Sequence, residues 1–293
     1  MSSAAYGSVY AACQRAGLGT SQLELIREGE NTVWAVDSET IAKVGRPGSI
    51  EQSSRQVRVA QWLRRVGVPS VSLCDISPQP VVVSDVPVVF WRRLPPHRAG
   101  NVVDVARLLR QLHDVGAPMD LELPELDPFV RLPERVCESK VIDRSQRDWI
   151  LRRIDSLRVE WERLPGGLPK CVIHGDAWVG NVAVHADGAA VLLDLERCSL
   201  GPPEWDLVST AIKLDSFAWI RHEEYRQFVR VYGNDVRRWP GFALMRNTRE
   251  LRMATFLIQR AGQDSTLIRE ALFRIDCLRG LHGGRPWRWT PST

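Results

Sequence analysis

The chain lacks each of the features that would take it out of ordinary globular chemistry. It has six cysteines, Cys13, Cys74, Cys137, Cys171, Cys198 and Cys277, and no two form a C-x-x-C pair. None stands near another Cys or His at zinc-finger spacing, so a disulfide framework and a structural zinc are disfavoured and reduced thiols are expected. No run approaches the roughly 18 apolar residues of a membrane span, and Met1 to Gly19 is small and polar with no apolar signal core. No block of one charge sign occurs: Lys and Arg are scattered among Asp and Glu, and the formal net charge is +4. That distribution reads as a solvated surface and argues against nucleic acid or membrane as a partner. Internal repeats and low-complexity tracts are missing as well. The expectation is a cytoplasmic protein, monomer or homodimer.

What is present is a 293-residue chain, 44% hydrophobic and 25% charged, with ample material for one large domain or two smaller ones. Leu23 to Ile26, Thr32 to Val36 and Thr40 to Val44 read as three short strands, separated by turns at 27–31 and 37–39. From Glu51 the period changes: Val57, Ala60, Trp62 and Leu63 fall on one helical face, and Gly67 with Val68-Pro69 ends the helix. Val71 to Leu73, Val81 to Val83 and Val86 to Trp91 are strand-like, and Leu94-Pro95-Pro96 breaks the pattern. Beyond it Asn101 caps a helix whose apolar face is Val105, Leu108, Leu109 and Leu112. Asp148 to Leu164 is a second long helix. Cys171 to His174, Val182 to His185 and Val191 to Leu193 make a small β island. Helical periodicity returns over 205–231, 248–259 and 267–278. The Gly-, Pro- and Trp-rich tail after Gly283 either packs through Trp287 and Trp289 or frays.

The segment that carries chemistry is His174-Gly175-Asp176-Ala177-Trp178-Val179-Gly180-Asn181, followed after the β island by Asp194-Leu195-Glu196. It matches H-x-D-x-x-x-x-N plus a downstream metal Asp, the catalytic pattern of the kinase fold. Phosphoryl transfer needs a hydroxyl aligned with the γ-phosphate and charge neutralised on the phosphate oxygens. Asp176 can accept a hydrogen bond from that hydroxyl and take its proton. The amide oxygen of Asn181 and the carboxylate of Asp194 are hard ligands suited to Mg²⁺. The plainer reading, that Asp176 and Asn181 only cap turns, leaves the second Asp and the β-rich region upstream unexplained.

These residues, with Gly201-Pro202-Pro203-Glu204-Trp205-Asp206-Leu207, resemble the aminoglycoside phosphotransferase family, relatives of the choline kinases and distant relatives of protein kinases. The resemblance runs from about Leu23 to about Gln259. It implies an α+β, bilobal, protein-kinase-like fold: residues 1–94 as a nucleotide-binding lobe with a small antiparallel sheet and one helix, and residues 95–293 as a larger, mostly helical catalytic and acceptor-binding lobe. It also implies ATP (or GTP) and Mg²⁺ as cofactors and a small-molecule hydroxyl acceptor as partner, with Asp176 as base and Asn181 and Asp194 as magnesium ligands.

Under that resemblance Lys43 is the strand lysine facing the nucleotide phosphates, as a compact point charge. Gly29-Glu30-Asn31-Thr32 is the phosphate turn, with Gly29 and Asn31 as contacts; an ordinary hairpin turn is the alternative. The residue aligned with the acid that would pair with Lys43 is Gln56, a departure from the family, with Glu51 as the alternative partner. Phe90-Trp91-Arg92-Arg93-Leu94 reads as the hinge against adenine, so Phe90 and Arg92 are assigned to nucleotide binding; the alternative is an edge strand entering a loop. His174 braces the catalytic loop, Asp206 accepts its backbone N–H groups, and Glu196 orients a bound water or a loop amide.

The acceptor is less legible. Polycationic acceptors favour acidic pockets, and Asp215, Glu223 and Glu224 are available. The later helices instead carry Arg246, Arg249, Arg252 and Arg260, which leans towards a neutral or partly anionic acceptor; solvation or pairing with Glu250 would also account for them. Aminoglycosides and other antibiotics, sugars, nucleosides and amino alcohols all stay open. Three other readings compete. A protein kinase would need an activation loop longer than the segment 194–206 and a D-F-G or A-P-E motif. A non-catalytic nucleotide-binding module is favoured only by Gln56. Transfer of AMP would need an inverted nucleotide.

Overall fold

Alternation of apolar and polar residues between Glu24 and Val44 produces three strands, Glu24–Arg27, Thr32–Ala35 and Thr40–Val44. With Val81–Val83 and Val86–Arg92 they form a five-stranded antiparallel sheet, in which Thr40–Val44 lies between Thr32–Ala35 and Val86–Arg92. Along Thr40–Val44 the pleat sends Thr40, Ala42 and Val44 into the interior and leaves Ile41 and Lys43 half-buried on the opposite face. These coordinates are a computed structural model that describes residues 3–29, 31–118 and 120–291. Glu30, named in the expected phosphate turn, lies outside the described residues.

The chain divides into two compact units, Met1–Pro124 with Val179–Ser199, and Glu125–Trp178 with Leu200–Thr293. The sheet belongs to the first. One of its faces is covered by a helix the sequence pattern did not signal, Ser3–Arg15. Its Val9, Ala12 and Cys13 are fully buried against Trp34, Val36, Ala42, Val44, Val88 and Phe90. The helix Ile50–Arg65 packs on Val86–Arg92 and buries Val57, Val59, Ala60, Trp62 and Leu63. It stops where Gly67 takes a left-handed φ of 75°. The expected strand Val71 to Leu73 is only an isolated bridge between Leu73 and Trp91. A second sheet joins His97–Ala99, Val182–His185 and Ala190–Leu192. The helix Val102–Asp114 starts on a capping box, in which Asn101 accepts from Val103 N and Asp104 N while Asp104 accepts from Asn101 N.

The second unit is mostly helical: Leu132–Glu138, Arg144–Trp161, Glu204–Asp215, His222–Tyr232, Phe242–Ala261 and Ile268–Leu278, with a two-stranded pairing of Cys171–Ile173 and Ser199–Gly201. The helical run expected over 205–231 is two helices. They are separated by residues 216–221, in which Ala218 has a φ of 51°. The helix expected from Thr248 begins earlier, at Phe242. The tail packs: Trp287 and Trp289 are buried, Trp219 Nε1 donates to Trp289 O at 2.7 Å, and Arg274 lies over the Trp289 ring. The six cysteines are free thiols, and no helix among the described residues is long and apolar enough to cross a membrane.

Candidate active site

In the first unit, strand pairing brings together residues far apart in sequence. Val182 lies opposite Leu192, and Leu193 N donates to Asn181 O at 2.9 Å. This joins the turn Val179–Asn181 to the chain entering Asp194. Asp194 itself is left-handed, with φ 52°, a conformation in which Asp is tolerated better than most side chains. Immediately after it the turn Leu195–Arg197 carries Glu196.

Lys43 projects from the Thr40–Val44 strand onto both acids. Its Nζ is 3.1 Å from Asp194 Oδ1 and 3.4 Å from Glu196 Oε2, with the lysine side chain only 15% exposed. Asn31 Nδ2 donates to Glu196 Oε1 at 2.6 Å. Lys43, Asn31, Glu196 and Asp194 therefore form one connected polar group, and the backbone bond at Asn181 places that residue beside it. The lysine partners expected from sequence are corrected. Gln56 is buried in the Ile50–Arg65 helix, and Glu51 pairs with Arg58 at 2.7 Å. Two acids from beyond the β island take their place. Asp194, Asn181 and Glu196 supply only oxygen donors, the set a hard divalent cation takes. No group of three or more His, Cys, Asp or Glu side chains with metal-holding geometry occurs among the described residues. A magnesium ion shared with nucleotide phosphates needs only one or two carboxylates, so this donor set fits it.

In the second unit the loop after Cys171–Ile173 is clamped from below. Asp206 is fully buried near the start of Glu204–Asp215 and accepts from His174 N at 2.7 Å and Gly175 N at 2.9 Å. Gly175 has a φ of 81°, which a residue with a Cβ adopts only at a cost. Its carbonyl accepts from Trp205 Nε1 and from the guanidinium of Arg249. Arg249 is itself buried, donates to Trp205 O at 2.8 Å and stacks 4.1 Å from the Trp205 ring centroid. His174 Nδ1 accepts from Asp176 N at 3.3 Å, which requires the proton to sit on the other ring nitrogen when the ring is neutral. The result is a rigid backbone that presents Asp176, half-buried, next to the exposed ring of Trp178.

Phe90 and Arg92, read as part of the hinge, lie at the end of the Val86–Arg92 strand. Phe90 is fully buried in the sheet core. Its N–H donates to Gln79 Oε1 at 2.8 Å and its carbonyl accepts from Cys74 N at 3.0 Å. Arg92 N donates to Ser72 O, Arg93 N donates to Glu39 O, and the Arg92 guanidinium pairs with Asp75 at 2.6 Å. Neither Phe90 nor Arg92 has a free backbone donor for a base edge. Gly29 is exposed, and a Cβ there would meet nothing closer than Asn31 O at 3.7 Å, so the position makes no steric demand for glycine. Of the arginines read as acceptor-facing, Arg249 is committed to the loop clamp and Arg252 donates to Pro128 O. Glu250 pairs with Arg285 rather than with any of them.

Sequence reasoning missed Lys213, on the same helix as Asp206 and about two turns further on. Its Nζ stands 5.2 Å from the Trp178 ring centroid. Burial lowers its pKa to about 8, with Asp176 pulling upward and Arg249 downward. The signal available was its spacing from Asp206 along a helix face.

The model of the phosphotransferase enzyme family matches residues 22–245. No curated protein matches the chain in sequence. Among solved structures, a choline/ethanolamine kinase family protein from Mesorhizobium loti has a TM-score of 0.64 at 17% identity, over 94% of this chain and 93% of that one. Choline kinase LicA from Streptococcus pneumoniae has a TM-score of 0.63 at 15% identity, over 92% and 98%. A spectinomycin phosphotransferase in complex with ADP and spectinomycin has a TM-score of 0.63 at 14% identity, over 95% and 94%. At these identities the likeness is one of fold.

Proposed function

From the premise that the chain belongs to the phosphotransferase enzyme family, and so is a small-molecule phosphotransferase, we propose that it moves the γ-phosphoryl group of ATP, with GTP as the alternative donor, to a hydroxyl of its acceptor. The observation that carries this reading is the pairing of Lys43 with Asp194, 151 positions apart in sequence. A half-buried ammonium held on two carboxylates is a site whose charges are arranged for phosphate and cation rather than for structure.

The roles follow from the chemistry of each group. Lys43 places a positive point charge against phosphate oxygens. Asn31, held by Glu196, keeps the turn before Thr32–Ala35 in register with that charge. Asp194 and Asn181 would hold magnesium, with Glu196 beside them; when bound, the ion neutralises charge on the phosphate oxygens. Asp176 accepts the hydrogen bond of the acceptor hydroxyl and takes its proton as the new P–O bond forms. The clamp through Asp206, Gly175, Trp205 and Arg249 fixes the backbone from which Asp176 projects. That rigidity matters because small misplacement of a base costs rate steeply. In this reading the nucleotide-holding part, 1–94, is completed by Asn181 and Asp194 from the segment Val179–Ser199 of the same compact unit, and the base and acceptor lie in the remainder of 95–293.

The test is transfer of γ-labelled phosphate from ATP in the presence and absence of magnesium, with Asp194→Asn beside the wild type. Magnesium-dependent transfer that loses its magnesium dependence in the variant is expected. A magnesium response identical in both proteins would remove Asp194 from its role.

A further inference from the structure

Lys213 is a charged group that acts on Asp176 and that the reaction as described does not use. It is half-buried in the Glu204–Asp215 helix. Its ammonium makes no hydrogen bond or ion pair within the described residues and stands 5.2 Å from the Trp178 ring centroid. A half-buried ammonium with three donors and no acceptor is costly unless something supplies the missing oxygen. The charges that act on it are Asp176, attractive, and Arg249, repulsive. Lys213 and Arg249 thus set two cations against one carboxylate. That carboxylate is also the group proposed to receive the acceptor's proton.

A second under-compensated cation lies on the Phe242–Ala261 helix. Arg246 Nε is buried without a hydrogen-bond partner; burial, then the neighbouring Arg285 guanidinium, push its pKa down against the pull of Glu250 and Asp215. A polycationic acceptor would bring like charge to Lys213. An acceptor with an anionic oxygen would complete its coordination.

We infer that Lys213, backed by the ring of Trp178, selects the acceptor, and that the acceptor is an alcohol carrying a carboxylate or phosphate whose oxygen docks on the Lys213 ammonium while its hydroxyl lies on Asp176. This rests on the phosphotransfer reading and narrows it: hydroxy acids and phosphorylated alcohols are favoured, neutral polyols are second, and aminoglycosides are disfavoured. Trp178 gives the carbon skeleton an apolar surface, and its ring also holds the lysine chain in place when no acceptor is bound.

The experiment uses four probes built on one carbon chain, so that charge is the variable: gluconate, glucitol monophosphate, glucitol and glucamine. The full chain, Lys213→Met and Lys213→Arg are compared for magnesium-ATP-dependent phosphorylation of each probe, and for binding of each probe by calorimetry. In the wild type the better anionic probe should exceed glucamine by roughly tenfold or more in kcat/KM or affinity, as one charge-assisted hydrogen bond warrants. Preference for gluconate over glucitol monophosphate, or the reverse, identifies the anion. Lys213→Met should abolish the gap or invert it, and Lys213→Arg should restore it; a merely structural lysine would lower all four probes together. Equal use or binding of glucamine and the anions by the wild type overturns the proposal. So does a gap that survives in Lys213→Met, or binding of none of the four. Magnesium-dependent ATP hydrolysis without acceptor is measured alongside. Its absence counts against phosphotransfer itself, whereas the calorimetric order of the probes judges Lys213 separately.

Discussion

Replacing Asp206 by alanine tests the loop clamp. The carboxylate is fully buried and accepts two backbone N–H bonds, from His174 at 2.7 Å and Gly175 at 2.9 Å. Alanine leaves both donors in the interior without an acceptor. Each orphaned buried donor costs about 1–3 kcal/mol, so the variant should lose roughly 2–6 kcal/mol, a large part of a typical domain stability of about 5–15 kcal/mol. Asparagine keeps one acceptor oxygen but turns an amide N–H₂ towards the second donor, so about half that loss is expected. The assay is urea unfolding followed by tryptophan emission, to which Trp205 contributes directly because its indole is bonded to the same Gly175 carbonyl. Asp206→Asn should also lower turnover while nucleotide affinity stays within about threefold, because it disturbs the segment that aims Asp176 and leaves Lys43 alone. An Asp206→Ala protein that unfolds within about 0.5 kcal/mol of the wild type would refute the clamp, since a buried acceptor of two bonds cannot be removed so cheaply.

Further outcomes follow from the same geometry. Under the role proposed for Lys43 at the phosphates, Lys43→Met should weaken ATP binding roughly tenfold or more, as measured by calorimetry with magnesium-ATP; unchanged affinity would show that Lys43 serves only Asp194 and Glu196. Lys213 has a folded-state pKa of about 8, below the 10.5 of a free lysine, because burial outweighs the pull of Asp176 and Arg249 adds to the depression. Below pH about 8 the cost of burying the charge is fully present, of the order of 3 kcal/mol before solvent screening reduces it. Between about 8 and 10.5 the unfolded chain binds more protons, so stability relative to Lys213→Met should rise with pH in that window; a flat difference between the two proteins would contradict it. Asn101→Ala removes a side chain that accepts from Val103 N and Asp104 N, and should cost about 0.5–2 kcal/mol in the same urea assay.

The features legible in the sequence are those set by local chemistry. The strands of the main sheet show as short β-rich runs bounded by turn residues. The Asn101 cap and Gly67 stop announce the ends of their helices, and the segment from His174 to Asn181 is contiguous. The helix Ser3–Arg15 was illegible because its buried face is Val9, Ala12 and Cys13. The spacing is helical, but two of the three side chains are small and give little hydrophobic contrast until Trp34 and Phe90 pack on them. His97–Ala99 is exposed along its length and is a strand only because Val182–His185 pairs with it. The partner of the Phe90 N–H was illegible for a tertiary reason: its acceptor, Gln79, comes from the loop just before Val81–Val83. The partners of Lys43 are likewise set by a strand pairing more than half the chain away. The spacing of Lys213 from Asp206 did not stand out, since a lysine on a helix is ordinarily solvated.

The most direct test of the central claim is γ-phosphate transfer from magnesium-ATP to a panel of aminoglycosides, sugars, nucleosides, amino alcohols and sugar acids, run with the wild type and with Asp176→Asn, with nucleotide affinity measured for both. The expected result is labelled product from an acceptor class in the wild type, and a loss of about 10²-fold or more in the variant with nucleotide affinity nearly intact. Wild-type rates of transfer by Asp176→Asn would contradict the role assigned to this carboxylate.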